Sequence, residues 1–198
     1  MDSISNLISI FKTFPGLGQK SARKIVFHLL RKNPDELQAI GNAIAALRKN
    51  LHPCSICGNI TEKDPCNICS NPIRDRKILC VVENIETLTV FEDAGIFDGV
   101  YHVLGDVKSG EYSRENALDS LFKHIQDLKP EELIIATSPV MEGDMIFYTI
   151  LDALKNSEIR PRKISRLAKG IPVGVSIEVA DRATLHSALD SRFQIDIT

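Results

Sequence analysis

The sequence contains no tryptophan and only three tyrosines, and aromatic residues make up just 6% of its 198 positions. Its apolar content is therefore mostly aliphatic. At 43% hydrophobic residues it suffices for one large domain or for two or three small ones. No apolar run approaches the ~18–20 residues that cross a bilayer, which excludes a membrane-spanning helix. The opening Met1-Asp2-Ser3-Ile4-Ser5-Asn6 lacks the basic-then-apolar layout of a secretory leader, so a reducing, cytoplasmic location is expected. Charge of one sign is also missing. Twenty-four lysines and arginines face 26 acids, for a net charge of −2, which argues against a uniformly basic nucleic-acid binder.

The near-zero total hides segregation. Up to residue 32 the cations Lys12, Lys20, Arg23, Lys24, Arg31 and Lys32 face only Asp2. A second basic stretch holds Arg160, Arg162, Lys163, Arg166 and Lys169, and an acidic one between them holds Glu83, Glu86, Glu92, Asp93 and Asp98. Such a layout suits one face for a polyanion and another for a different partner, although a solvated mosaic surface gives the same pattern.

Hydrophobic periodicity divides the chain into four pieces: 1–52, 53–72, 77–165 and 166–198. In the first, Ile4, Leu7, Ile8 and Phe11 share one helix face, and Ala22, Ile25, Val26 and Leu29 repeat the spacing. Phe14-Pro15-Gly16-Leu17-Gly18 breaks the helix between them. A third helix is expected after Asn33-Pro34, amphipathic and packed through Leu37, Ile40, Ile44, Leu47 and Leu51. The second piece is rich in cysteine, proline and asparagine and too small to own a core. In the third, Ile78–Val82, Val100–Leu104 and Leu133–Thr137 read as buried strands alternating with helices, the last over 142–156, which predicts a parallel α/β sheet. The fourth is expected to carry a β-like stretch from Gly170 to Val179 and a short helix near 181–190. The fold class is thus α/β within a multi-part α+β chain.

Four of the five cysteines fall in the pattern Cys54-x2-Cys57-x8-Cys66-x2-Cys69. Each CxxC forms a tight knuckle presenting two thiolates, and two knuckles complete a tetrahedral S₄ shell for a structural Zn²⁺ with no open position. Redox-active CxxC pairs or an iron–sulfur cluster are the alternatives. Cys80, alone in an apolar strand, reads as a core residue.

The turn at Gly16 and Gly18 lies between two amphipathic helices. Glycines there allow close approach of a phosphate, and the start of the second helix offers amide N–H groups and the positive end of its dipole. Lys20, Arg23 and Lys24 add charge at the same end. That is the layout of a helix-hairpin-helix gripping a sugar–phosphate backbone without reading sequence, as against a plain αα-hairpin. Glu83, after the first strand, and Glu142 and Asp144, after the third, stand at the usual ligand edge of a parallel sheet. Glu83 and Asp144 suit an Mg²⁺ ion; equally, these acids fit helix N-termini as dipole partners.

The order of these parts carries a resemblance. The hairpin FPGLGQKSARKIVFHLL, the four-cysteine module, a Toprim-like LCVVE…YHVLG…IIATSPVMEGD and the tail LAKGIPVGVSIEVADRATLHSAL together resemble the RecR family of bacterial recombination mediators, essentially end to end. The resemblance implies a non-enzymatic DNA-repair protein that forms a homodimer or a ring-like homotetramer, its tail serving oligomerisation. It implies action with RecO and RecF at gapped or single/double-strand junctions in DNA, helping RecA to displace single-strand-binding protein. Cys54, Cys57, Cys66 and Cys69 would hold zinc; Gly16, Gly18, Lys20, Arg23 and Lys24 would face DNA; Glu83, Glu142 and Asp144 would form a partner-docking surface. The protein would be cytoplasmic and associated with the nucleoid. Thr87 stands where the family usually has aspartate, which weakens an Mg²⁺ site. The loop Gly105–Glu111 is shorter than is usual, which bears on partner contacts, and Lys169 and Val175 replace a usual arginine and glycine.

Toprim-type folds also support catalysis, so an Mg²⁺-dependent nuclease or a topoisomerase- or primase-like enzyme is the competing function. A topoisomerase needs a tyrosine nucleophile. Tyr101 is expected to pack and Tyr148 lies among apolar neighbours, leaving Tyr112; the histidines His28, His52, His102, His124 and His186 look scattered. A sequence-specific regulator is a third class, for which Gln38 and Arg48 of the third helix are the available base-reading side chains.

Overall fold

Asp2 caps the first helix, α1 (Ser3–Phe11), its carboxylate accepting the Ile4 amide at 3.4 Å. Helix α2 (Gln19–Leu29) follows a turn in which Gly16 adopts φ +76°, a conformation open to glycine and costly for other residues. The two helices pack through Ile8, Ala22 and Val26, with Ile4, Leu7 and Phe11 at the margin. Helix α3 (Pro34–Asn50) starts where Asn33 accepts the Glu36 amide at 2.8 Å and Pro34 occupies the first turn, a position at which no donor is lost. The expected packing of α3 is not found. Leu37 and Ile40 are exposed, and Ile44 and Leu47 are 60% and 57% exposed. Their stripe has the right period, but this unit offers it no facing element.

The computed structural model describes residues 2–105 and 114–192, grouped in two units, Met1–Leu51 and His52–Thr198. The short loop beyond Gly105, over 106–111, and Tyr112 after it lie outside the described residues.

The second unit opens with a two-stranded antiparallel ribbon, β1 (His52–Pro53) and β2 (Ile60–Thr61), and a single helical turn, α4 (Asn67–Ser70). A four-stranded sheet follows, with β3 (Asp75–Val82), β4 (Gly99–Val103), β5 (Glu132–Ala136) and β6 (Lys163–Arg166). Its order is β4-β3-β5-β6 and every pairing is parallel. The helices α5 (Ile85–Ala94), α6 (Arg114–Leu128) and α7 (Met141–Lys155) connect the strands. Strand alternation sorts the core into two layers. Cys80, Val82, Tyr101, Val103 and Ala136 face Leu88 of α5 and the four cysteines of the preceding module. Leu79, Val81, Leu133 and Ile135 face Leu121 and Ile125 of α6 and Ile150 and Leu154 of α7. The cysteine module thus borrows the core of the sheet, as its size requires.

Two expectations for the C-terminal part need correction. Strand β6 lengthens the sheet to four strands; its charged Lys163-Ile164-Ser165-Arg166 composition marks an edge strand rather than a buried run. The stretch from Gly170 to Val179 is not a strand. Pro172 has no amide to donate to a ladder and Gly174 sits at φ +84°, so the segment turns and ends in a 3₁₀ turn over Ile177–Val179. Helix α8 (Arg182–Asp190) follows as expected, Asp181 accepting the Thr184 amide at 2.7 Å.

Candidate functional site

The four cysteines converge. Their Sγ atoms all lie within 4.8 Å of one another and all four residues are buried. Each knuckle is shaped by its own backbone. The Cys54 amide donates to Asn59 O at 2.7 Å, the Gly58 amide to Cys54 O at 3.0 Å, and the Ser70 amide to Cys66 O at 2.9 Å. Gly58, at φ +76°, also approaches β4 so closely that a Cβ there would stand 2.9 Å from Val103 O. Hydrogen bonds from the Cys57 and Cys69 thiols draw Cys66 below its ordinary range, while Cys57 and Cys69 are themselves pushed up. Four sulfurs, no open position and a buried setting fit a structural, tetrahedral Zn²⁺ and leave none of the solvent access a catalytic metal requires. Cys80 is buried apart from them, its thiol pushed up to about 12 by desolvation.

The module is tied to the sheet twice. The Val103 amide donates to Cys57 O at 2.8 Å, so a knuckle covers the outer edge of β4. The Arg76 guanidinium donates to Cys69 O at 2.9 Å from β3.

In the first unit, Lys20, Arg23, Lys24 and Arg31, with Phe27 and His28, line an open cavity of about 450 Å³ along α2. Lys20, Arg23 and Lys24 are exposed, and among the described residues no carboxylate lies within ion-pair distance of any of them. Helix α2 carries no acid in its first turn, and Gly18 at its N-cap offers no side-chain acceptor to the free amides. Cations at a helix N-terminus oppose the dipole and weaken the free helix; an anion seated there reverses the sign.

Two of the three acids at the sheet edge, Glu83 and Asp144, are engaged. Glu83 Oε1 accepts the Ser138 amide at 2.6 Å, tying the turn after β5 to the end of β3. Gly143 is forced by that turn, since a Cβ would lie 2.1 Å from Ser138 O and 2.8 Å from Glu83 Oε1. Asp144 is held by Lys169 Nζ, at 2.8 and 3.1 Å, and by the Arg166 guanidinium, which keep its carboxyl below the usual carboxylate range. Glu142 lies in the first turn of α7. Glu83 and Asp144 stand at one edge of the sheet; among the described residues, the group of three or more metal-ligating side chains that could share an ion is the cysteine set. Thr87 is a capping partner, its amide and hydroxyl bonding Asn84 Oδ1 at 2.9 and 2.8 Å. Much of the second basic stretch is likewise engaged. Lys163 pairs with Glu132, Arg166 and Lys169 with Asp144, and Arg160 donates to Leu154 O at the end of α7.

Tyr101 packs as expected. Fully buried, it donates to Glu92 Oε1 at 2.8 Å beside the Arg74–Glu92 ion pair, and desolvation raises its pKa. Tyr148 is 63% exposed. The histidines are not all scattered. His102 of β4 and His124 of α6 meet in the core with Nδ1 atoms 3.2 Å apart. Arg76 and Lys123, which line a cleft beside that pair, also escape a reading of the sequence. For Lys123 the signal there is a polar stripe at 120, 123, 124 and 127 on α6.

Residues 4–48 match a family model described as "RecR, helix-hairpin-helix", and residues 77–167 match one described as "Toprim domain". Between them, residues 51–71 match the model of the RecR zinc finger domain with four cysteine ligands. A protein of Koribacter versatilis (strain Ellin345) named "Recombination protein RecR" is 36% identical over 197 residues, 98% of each chain. Another of that name from Anaplasma phagocytophilum (strain HZ) is 38% identical over 195 residues, covering 97% of this chain and 99% of its own. With a helix-hairpin-helix, a structural zinc site and a Toprim sheet in the same order over nearly the whole length, the chain belongs to the RecR family of recombination proteins.

Proposed function

We infer that the protein is a non-catalytic, DNA-binding mediator of recombinational repair. It binds gapped or single/double-strand junction DNA through Gly16, Gly18, Lys20, Arg23 and Lys24, and acts with RecO, and with RecF where present, to load RecA onto strands coated with single-strand-binding protein. The observation that carries this reading is the uncompensated positive charge at the start of α2, which gains stability only from an anion. Backbone contacts of this type bind every sequence alike, as a protein acting at gaps requires.

Engagement of two of the Toprim acids supports the non-catalytic part. Asp144 is neutralised by two cations and Glu83 Oε1 accepts the Ser138 amide, while Tyr101 is buried and bonded. The surface around Glu83, Glu142 and Asp144 serves partners better than a two-ion reaction, which needs convergent free carboxylates. The exposed stripe Leu37, Ile40, Ile44 and Leu47 repeats at three- and four-residue steps, the seam spacing of paired helices, and supports self-association into a dimer or ring. The tail 166–198 contributes to that assembly, and the protein works in the cytoplasm at the nucleoid.

The test is one incubation of zinc-loaded protein with end-labelled gapped DNA and Mg²⁺ at low salt, scored for retarded complexes and for strand integrity. Retardation with every strand intact is expected. Cut, joined or extended strands that disappear with Glu83→Gln would make the Toprim acids an active site.

A further inference from the structure

A second cleft, of about 390 Å³, opens within the sheet-bearing unit between the zinc module and α6. Two cations face into it. Arg76 comes from β3 and is fixed by its bond to Cys69 O at 2.9 Å, which leaves other N–H groups of its fork available. Lys123 comes from α6. Among the described residues neither has a carboxylate within ion-pair distance. Asp127, one α6 turn beyond Lys123, lines the cleft without pairing with either, so one positive charge remains in excess.

The rest of the lining has a different chemistry. Ser120 brings a hydroxyl, as does Ser55, whose Oγ donates to Asp64 Oδ1 at 3.0 Å. Ile56 and Leu128 supply apolar surface, and the floor behind them is closed by Val100 and by the buried His124, whose ring is held by His102 at 3.2 Å. A bare inorganic anion has no use for that apolar surface, and a purely apolar ligand leaves two cations unpaired. A ligand with a flat heterocycle at one end and a phosphate at the other satisfies both, and the cleft volume falls in the range of small-ligand sites.

We propose that this cleft holds one nucleoside phosphate unit of a single DNA strand, its phosphate on Arg76 and Lys123 and its base against the apolar surface of Ile56 and Leu128. The site rests on the DNA-binding reading and extends it. Unpaired nucleotides expose the base face that the cleft requires, whereas a duplex keeps its bases stacked, so the cleft is selective for the single-stranded side of a gap.

The test uses the full-length, zinc-loaded protein and a 5-iodouracil-substituted oligothymidylate, photo-crosslinked and mapped by mass spectrometry, with 5-iodo-dUMP as a parallel probe. Labelling of the segments around 55–56 or 120–128 by the strand is expected. Lys123→Glu and Ser120→Asp, both on exposed positions of α6, should abolish it with zinc content and melting temperature unchanged. Lys123→Glu should also weaken strand binding several-fold and lower the slope of log affinity against log salt by about 0.7, one phosphate contact on single-stranded DNA. Labelling by 5-iodo-dUMP with none by the strand overturns the assignment to DNA in favour of a free nucleotide. A strand that binds through α2, is weakened by Lys20→Ala/Lys24→Ala, and never labels the cleft overturns the cleft alone. A wild-type protein that retains no strand and takes no label at low salt removes both readings.

Discussion

The Nδ1 atoms of His102 and His124 lie 3.2 Å apart between β4 and α6, in a layer of otherwise apolar side chains. One ring donates and the other accepts, so the contact needs at least one neutral ring and is lost once both are protonated. Burial and the neighbouring His124 push His102 down to about 3, and burial lowers His124 as well. The folded-state values are depressed, so the stability they contribute is fully present above the unfolded value near 6.5. It is lost as pH falls towards the folded value, at up to about 1.4 kcal/mol per pH unit for each histidine. Urea midpoints of zinc-saturated protein should therefore fall between pH 7 and pH 5 more steeply for the wild type than for His102→Phe/His124→Leu. Equal slopes would show that the pair does not remain neutral in the fold.

The contact between Cys57 O and the Val103 amide, at 2.8 Å, makes the zinc site a cover for the outer strand of the sheet. Zinc binding in small modules is folding free energy, on the order of 10 kcal/mol. Chelation, or Cys69→Ser, should unfold residues 53–72 and expose the edge of β4. Hydrogen exchange at the Val103 amide reads this directly, since it should lose protection while Leu133 and Ile135 of the interior strand β5 keep theirs. Unchanged protection at Val103 without metal would separate the module from the sheet.

Gly143 meets Ser138 O and Glu83 Oε1 where a Cβ would have to go, at 2.1 and 2.8 Å. One of those atoms is backbone and the other is fixed by its bond to the Ser138 amide. Gly143→Ala should destabilise the protein by about 1–3 kcal/mol, as overpacking does, despite alanine's better helix propensity. An unchanged urea midpoint would mean that the turn after β5 can move away.

These three relationships differ in how far they can be read from the residues alone. The zinc site is legible because two chelating pairs must each be short in sequence, so Cys54-x2-Cys57 and Cys66-x2-Cys69 print the geometry directly. The three buried strands β3, β4 and β5 are legible as apolar runs, whereas β6 hides in a charged tetrapeptide at the sheet edge. His102 and His124 are 22 residues apart on different elements, and only the register of the sheet against α6 brings them together. Strand order alone puts the acids at 83 and 144 on one edge, but their partners Ser138, Arg166 and Lys169 depend on a turn and a strand that periodicity does not reveal. Helix α3 misleads for the opposite reason. Its apolar period is real, yet a period shows that a face is to be covered without showing that its own unit covers it.

That stripe on α3 gives a test of self-association. Ile44 is 60% exposed, so a charge there costs the isolated chain little. Ile44→Glu should lower the mass measured by light scattering at micromolar concentration while leaving the melting temperature of any monomer near that of the wild-type chain. An unaltered mass would place the assembly surface elsewhere, in the tail 166–198 first.

The basic turn of α2 gives the test of DNA contact. Lys20 and Lys24 are exposed and free of carboxylate partners among the described residues, so removing them breaks no internal pair and should leave stability unchanged or slightly improved. On duplex DNA each lost phosphate contact lowers the slope of log affinity against log salt by about 0.9, so Lys20→Ala/Lys24→Ala should reduce it by about 1.8. The loss should be the same on every sequence, because a phosphate contact carries no base information. A loss confined to one sequence would indicate base readout from α2, and an unchanged salt slope would move the DNA surface away from the hairpin.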